Sequence, residues 1–509
     1  MSRPLSLSVV VLLAACISHA AMGQNSAAKS LLLTGASAST IPTNAVSHLS
    51  AVRGILWAGT SRSLARSSDG GRTWQDFGSV PAFARPSIYA LDVKGDTIWV
   101  STGYEKEVDN SPVPTGSGYA FSTDGGQTWT GRPQPQDAKD DSVVIYGINR
   151  VHFLPIVVPE QSVTYDVALS ETAVWVASWA SGIRKSTDLG QTWQRIVLPN
   201  ATRASIAPTD SLPNYNVDPR PDDNFKGFSV ATIGRDTVWA GTAGGINFST
   251  DGGSSWRHFT TNNEVSHLAS DWVIAIGVQR LASGTRVWTT NWPATGPNQE
   301  YAVSYTDDAG ASWHSFLQGV KAYAFTFRDS ITYVASDDGL YRTSDGGSTW
   351  LRSGTVADPT SGNRLTTTTF FSVATIADTV FAASGDGLAR TIDNALHPFG
   401  SAWEVIRAYT PSVARSTVYA YPNPFSPLQQ PIRIHYTTGS EAATVTIELF
   451  DFGMNRVRTI VKDATRNGES DDIWDGRDES GRIVPNGVFF YRVIIAGGDP
   501  AWGKILVLQ

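Results

Sequence analysis

Residues 249–256 read STDGGSSW, and close copies of this stretch recur along the chain. SSDGGRTW ends at Trp74, STDGGQTW at Trp129, STDLGQTW at Trp193, TDDAGASW at Trp313 and TSDGGSTW at Trp350. A seventh copy is decayed: Thr391 and Asp393 stand in place, but the Gly-to-Trp stretch is displaced to Gly400 and Trp403. Asp-Gly-Gly between β-rich stretches marks a turn, because Gly reaches positive φ at little cost and Asp accepts hydrogen bonds from the backbone just beyond it. The acids Asp69, Asp124, Asp188, Asp251, Asp308, Asp345 and Asp393, with Trp74, Trp129, Trp193, Trp256, Trp313, Trp350 and Trp403, are therefore expected to hold hairpins. One acid per repeat, spread around a rim, does not converge as catalytic groups must.

Upstream of each copy lies a second repeated element: GILWAGT, DTIWVST, TAVWVAS, DTVWAGT, TRVWTTN, ITYVAS and DTVFAAS. Each sets one aromatic on a β-branched stretch, namely Trp57, Trp99, Trp175, Trp239, Trp288, Tyr333 or Phe381. Alternating apolar runs such as FSVATIG (228–234) precede them and end in short turns such as GRDT. One unit reads as strand A, tight turn, strand B, loop, strand C, box turn, strand D. Seven such units predict an all-β chain whose main part, residues 46–410, is a seven-bladed β-propeller, an architecture that leaves only short, protected edges.

The pattern S-x-D-x-G-x-T-W resembles the Asp-box, or BNR repeat, of sialidases, sortilin-type receptors, xyloglucan-cleaving glycosidases and photosystem assembly factors. The resemblance implies the propeller but selects no function, since the fold hosts enzymes and binders alike.

The chain has 509 residues, a net charge of −7 and no basic run, which argues against a nucleic-acid partner. Arg3 followed by an apolar run from Leu5 to Ile17, too short to span a bilayer, reads as an export signal over residues 1–23, with a lead-in over 24–45. Cleavage after Gly23 and a lipobox cut before Cys16, the one cysteine, are both open. After the propeller, a Pro-rich joint (411–428) leads to about six or seven short alternating strands over 429–509, read as a small β-sandwich. YPNPF, WDGRDESG and GVFFYRV there resemble the Ig-like module related to flagellar hook-capping proteins and the C-terminal sorting domains of type IX secretion. That resemblance implies export or attachment through the secretion machinery.

Insertions locate a candidate site. Long B–C connections (YEKEVDNSPVPTG and NWPATGPNQE) and D–A connections (130–143, 200–226 and 355–368) share one face, opposite the box turns, and loops on a rigid scaffold are the usual place for binding. Trp179 and Trp292 are placed in B–C loops and Trp272 at the start of a strand A. Tyr89, Tyr165 and Tyr323 each fall ten residues before a strand-B aromatic. Flat amphipathic rings of this kind suit a glycan or a protein ligand. Glu105 and Glu300 belong to the same face, among acids that also include Glu107, Asp109, Asp166, Asp210, Asp218, Asp222 and Asp223. The leading expectation is an exported or surface binding protein, monomeric, without cofactor, metal or membrane span. The alternative is a glycoside hydrolase using a carboxylate pair on that face. No catalytic residue is assigned.

Overall fold

The computed structural model describes residues 40–509 except 84, 86, 109–110, 263–266, 295–298 and 409–417. The expected export signal, with Cys16, and Asp109 lie outside the described residues. Contacts divide the chain into two compact units, one ending at Ile406 and one running Arg407–Gln509.

Among the described residues the first unit contains seven antiparallel sheets, each built on four strands taken consecutively from the chain, one of them carrying a fifth strand at its edge. Their first strands, called A, are Val46–Val52, Ser87–Lys94, Thr164–Leu169, Gly227–Ile233, Trp272–Leu281, Ala322–Arg328 and Phe370–Ile376. These strands abut one another in chain order, and the last returns to the first, so the sheets are the blades of a closed β-propeller. At the closing seam Ser372 Oγ accepts the Leu49 N–H at 3.0 Å, and Arg390 Nη1 donates to Gly70 O at 2.7 Å.

The box turns stand where their chemistry requires. In blade 1 the Gly71 N–H donates to Ser67 Oγ at 2.8 Å, and Asp69 Oδ1 accepts the N–H groups of Arg72 and Thr73 at 3.0 and 2.9 Å. Thr73 Oγ1 donates to Asp69 Oδ2 at 2.6 Å, and Trp74 Nε1 donates to Gly71 O at 3.0 Å. The Asp bonds recur at Asp124, Asp188, Asp251, Asp308 and Asp345, and the indole bond recurs at Trp129 and Trp256. These bonds hold the Asp69 carboxyl down at about 2, as they hold Asp188 and Asp345, and they lower Asp124 further.

Each box also packs between blades. The strand-B Trp of one blade meets the box Trp of the next edge to face: Trp57–Trp129 at 6.4 Å, Trp99–Trp193 at 6.3 Å, Trp175–Trp256 at 6.4 Å, Trp239–Trp313 at 6.3 Å and Trp288–Trp350 at 6.3 Å. Buried aromatics of this size contribute roughly 1.5–3 kcal/mol each. The second box Gly lets the turn approach: a Cβ on Gly126 would lie 2.8 Å from Trp57, on Gly190 2.9 Å from Trp99, and on Gly253 2.5 Å from Trp175.

The seventh copy departs from the turn role expected of Asp393. Thr391 Oγ1 donates to Ala402 O at 2.6 Å instead of serving a box Asp. Asp393 is buried and accepts from Arg342 Nε at 2.6 Å and from the Tyr333 hydroxyl, both of blade 6. With the Gly displaced to position 400, no tight turn remains for the carboxylate to cap. It joins two blades instead, while Trp403 stays buried beside Phe399, 6.1 Å away.

The insertions are more regular than loops. The blade 2 B–C insertion extends both strands into a long hairpin, Thr97–Val108 against Ser111–Ser122. The connection from blade 2 to blade 3 runs beyond residue 143. Its Val143–Tyr146 pairs with Asn149–Phe153, which pairs in turn with Asn216–Val217 in a small added sheet, and Ser205–Ile206 adds to the outer strand of blade 4. Asp137 anchors this insert to blade 3 from a buried position, 2.9 Å from Arg184 and 3.8 Å from Arg195.

Among the described residues the second unit has five strands, not six or seven: Tyr419–Tyr421, Ile432–Phe450, Arg456–Trp474, Gly487–Ile495 and Ala501–Val507. The two long strands absorb register shifts instead of breaking, one of them where Asp463 adopts a positive φ of 51°. Its core gathers Phe425, Ile432, Tyr436, Ile447, Trp474 and Tyr491.

Candidate functional site

Every A strand carries a β-bulge at its second or third residue, between Val46 and His48, Ile88 and Ala90, Thr164 and Asp166, Gly227 and Ser229, Val273 and Ala275, Ala322 and Ala324, and Phe370 and Ser372. A bulge re-aims the side chain it carries. The bulged residues are Ser47, Tyr89, Tyr165, Phe228, Ile274, Tyr323 and Phe371. Strand A runs from the D–A connection toward the A–B turn, so these residues form a collar at the end of the propeller opposite the boxes. Four of them, Tyr165, Ile274, Tyr323 and Phe371, remain partly exposed, while Tyr89 and Phe228 are buried.

Aromatic contacts extend the collar into an arc over blades 3 to 7. Tyr165 lies 6.2 Å from Phe228, and Trp179 lies 5.2 Å from Phe228 and 6.0 Å from Trp272. Trp272 pairs in register with Trp292, which lies 5.5 Å from Tyr323, itself 5.7 Å from Phe371. Cations cap the rings: Lys226 Nζ stands 5.2 Å from Trp179, and Lys321 Nζ stands 4.3 Å from Trp292.

The sequence-predicted residues thus come together, but unequally. Trp179, Tyr165 and Tyr323 keep accessible surface on the arc, whereas Tyr89, Trp272 and Trp292 are buried. Trp292 ends a strand instead of lying in a loop, and its Nε1 donates to Ala322 O at 2.8 Å. Glu105 approaches Tyr89 closely enough that, after burial, its charge helps raise the phenol. Glu300 is exposed, and its backbone carbonyl accepts Ser270 Oγ at 2.7 Å. The sequence reading missed Ser47, Phe228, Ile274 and Phe371. The ten-residue count back from strand B, applied to blades 1 and 7, reaches Ser47 from Trp57 and Phe371 from Phe381.

Five of the acids assigned to this face are engaged as acceptors or ion-pair partners. Asp166 accepts the Val230 N–H at 2.9 Å, Asp210 accepts Ala207 N–H at 2.9 Å, and Asp222 accepts Asn224 N–H at 3.0 Å. Asp218 pairs with Arg220, and Asp223 with Lys226, each at 2.5 Å. A separate open cleft of about 410 Å³ lies at the lengthened turn of blade 7, between Asp358, Arg390, His397 and Glu404. Among the described residues no cluster of three or more His, Cys, Asp or Glu could hold a metal ion, and no helix is long and apolar enough to cross a membrane.

No curated protein matches the chain. The family model described as FlgD Ig-like domain matches residues 426–498. Among solved structures the chain is similar to PorZ, described as an essential bacterial surface component of the type-IX secretion system of Porphyromonas gingivalis, at 13% identity and a TM-score of 0.41, over 91% of this chain and 65% of that one. It is similar to YCF48 from Cyanidioschyzon merolae at 16% identity and a TM-score of 0.37, over 68% of this chain and 91% of that one. An ancestral GH74 enzyme gives 14% identity and a TM-score of 0.49, over 90% of this chain and 62% of that one. The chain therefore spans less than two thirds of the length of PorZ and of the GH74 enzyme. The second unit is an Ig-like domain, and the first is a β-propeller by its own sheet order.

Proposed function

We propose that the chain is an exported binding protein whose propeller takes a glycan or protein ligand at the collar opposite the box turns, and whose Ig-like domain serves export or surface attachment. The observation that carries this reading is the arc from Tyr165 to Phe371, where partly exposed rings are held on buried ones. Rigid rings lose little conformational entropy on binding, which is why such surfaces bind well. The Asp-box resemblance, with its sialidase and sortilin-type relatives, fits a ligand-taking propeller. The apolar N-terminal segment and the hook-capping-like motifs support export.

Screening the mature protein against a glycan array and a displayed random-peptide library tests the reading. Probes that bind should lose at least about tenfold in affinity to Trp179→Ala or Tyr323→Ala, the cost of removing one anchoring aromatic. Binding that ignores both substitutions, or hydrolysis of array glycans without retention, would overturn it.

A further inference from the structure

The outer edges of blades 4 and 7 are finished differently. In blade 4 the chain lays its own segment on the outer strand Trp256–Phe259. The His258 N–H donates to Ala204 O at 2.8 Å, and Ser205 and Ile206 pair antiparallel with Arg257 and Trp256. Ser205 is exposed there, while Ile206 is buried in one cluster with Trp256. Blade 7 has the same frame. Arg390 pairs with Glu404 as Phe248 pairs with Arg257, so Trp403, Glu404 and Val405 stand where Trp256, Arg257 and His258 stand in blade 4. At Val405 the N–H is taken by the Asp358 carboxylate, a side chain in place of a strand. Along an antiparallel strand the peptide groups point alternately to its two sides, so the Trp403 N–H faces outward with that of Val405.

The start of this strand borders the cleft of about 410 Å³, whose lining runs from Asp358 and Thr360 past Trp403 and Glu404 to Arg390 and His397. The decayed seventh box makes room for it. The step from Thr391 to Trp403 is 12 residues, against 7 from Ser249 to Trp256, so the turn no longer folds tightly over the strand ends. Ile392, 43% exposed, gives one wall an apolar surface. Glu404 takes the place of Arg257. Arg390 pairs with it on the inner side, and its side chain remains 46% exposed. An acid in this position favours a cation directly across the ladder, because facing cross-strand residues of opposite charge attract. A cleft of this size suits a short stretch of bound chain.

We propose that blade 7 takes an extended segment of a partner polypeptide, added antiparallel to the outer edge of the chain at Trp403 and Glu404, with a Lys or Arg opposite Glu404 and an apolar residue next to it, opposite Trp403. Main-chain hydrogen bonds supply the affinity of such a strand addition, and the side-chain positions supply the selection. The chain itself displays the geometry at Ser205–Ile206 of blade 4; blade 7 presents the equivalent edge to another molecule. The site lies at the box-turn end of the propeller, away from the collar, and does not rest on the function proposed above.

Peptide binding to the full mature chain tests this. The probe is the chain's own segment Thr202–Pro208 in its Ser205→Lys form, acetylated and amidated at its ends. At about 1 mM it is expected to slow hydrogen exchange at the Trp403 amide and to leave the collar residues Tyr165 and Tyr323 unchanged. In the bound strand the N–H of Ile206 faces the blade and that of position 205 points away. N-methylation of the probe at Ile206 should therefore weaken binding at least about tenfold, and N-methylation at position 205 should hardly change it. The Ser205→Glu form should bind about threefold weaker than the Ser205→Lys form, or worse. Every comparison uses the wild-type protein, so no variant has to fold. No slowing at Trp403, slowing confined to the collar, equal losses from the two N-methyl groups, or equal binding of the Lys and Glu forms would overturn the proposal. So would a Trp403 amide that exchanges as slowly without the probe as with it, because the chain would then fill its own edge.

Discussion

Replacing the second glycine of a box should cost far more than replacing the first, and blade 2 gives the cleanest comparison. Gly125 and Gly126 both lie in the left-handed region, with φ of 72° and 87°. A Cβ on Gly125 meets nothing within 4 Å, whereas one on Gly126 falls 2.8 Å from Trp57, 3.5 Å from Trp129 and 3.6 Å from Phe77. Trp57 cannot retreat, because it is buried and stacked on Phe77 at 5.7 Å. Both Gly→Ala changes carry the left-handed penalty of ~1–2 kcal/mol. Gly126→Ala adds overpacking of ~1–3 kcal/mol, since the interior yields little. Gly125→Ala should therefore cost about 1–2 kcal/mol and Gly126→Ala about 2–5 kcal/mol. Urea unfolding followed by tryptophan fluorescence compares the two midpoints at equal slope. Gly253→Ala, whose Cβ would lie 2.5 Å from Trp175, should behave like Gly126→Ala. Equal shifts for Gly125→Ala and Gly126→Ala would refute the claim that the box fastens one blade to the next.

Removing the acid that anchors the insert, by Asp137→Ala, should destabilise the propeller by ~3–5 kcal/mol, because the buried Arg184 loses its close carboxylate; thermal unfolding measures it. Lowered carboxyls stabilise the fold above their ordinary range near 4 and lose that contribution as pH falls toward about 2, so Asp69, Asp188 and Asp345 should make the melting temperature drop across that acid window. Asp69→Asn should flatten the drop in part. Asp393→Ala should lower stability by ~1–3 kcal/mol by leaving the buried Tyr333 hydroxyl and Arg342 without their shared acceptor, whereas Asp393→Ala in a true box role would disturb only an exposed turn. Denaturant midpoints of single and double variants with Arg342→Ala should be non-additive.

The repeat was legible because a box turn is local. Within eight residues the sequence specifies two positive-φ positions, the acceptor that caps them and the Trp that closes over them. Counting between repeats then placed the elaborated face and three of the collar tyrosines. Phe371 and Ser47 were reachable by the same count, but Ile274 was not, because the longer A and B strands of blade 5 move it to fourteen residues before Trp288. The burial of Trp272 and Trp292 was hidden, since it depends on pairing across two strands and on the Ala322 carbonyl of the next blade. The contact of Asp166 with the next blade was hidden for the same reason: nothing near it in sequence reveals that it meets Val230, sixty-four residues on. In the Ig-like domain the expected short strands were merged, because Ile432–Phe450 runs on as one strand with a register shift between Thr437 and Ala442.

The central claim is that the boxes fasten the propeller while the opposite collar binds. Side-chain footprinting by hydroxyl radicals, with and without a probe selected from the glycan array or peptide library, tests it most directly. Protection concentrated on Tyr165, Trp179, Tyr323 and Phe371 is the predicted result. Protection of the exposed box-turn residues Arg72, Gln127, Gln191 and Ser254, with the collar unchanged, would contradict it.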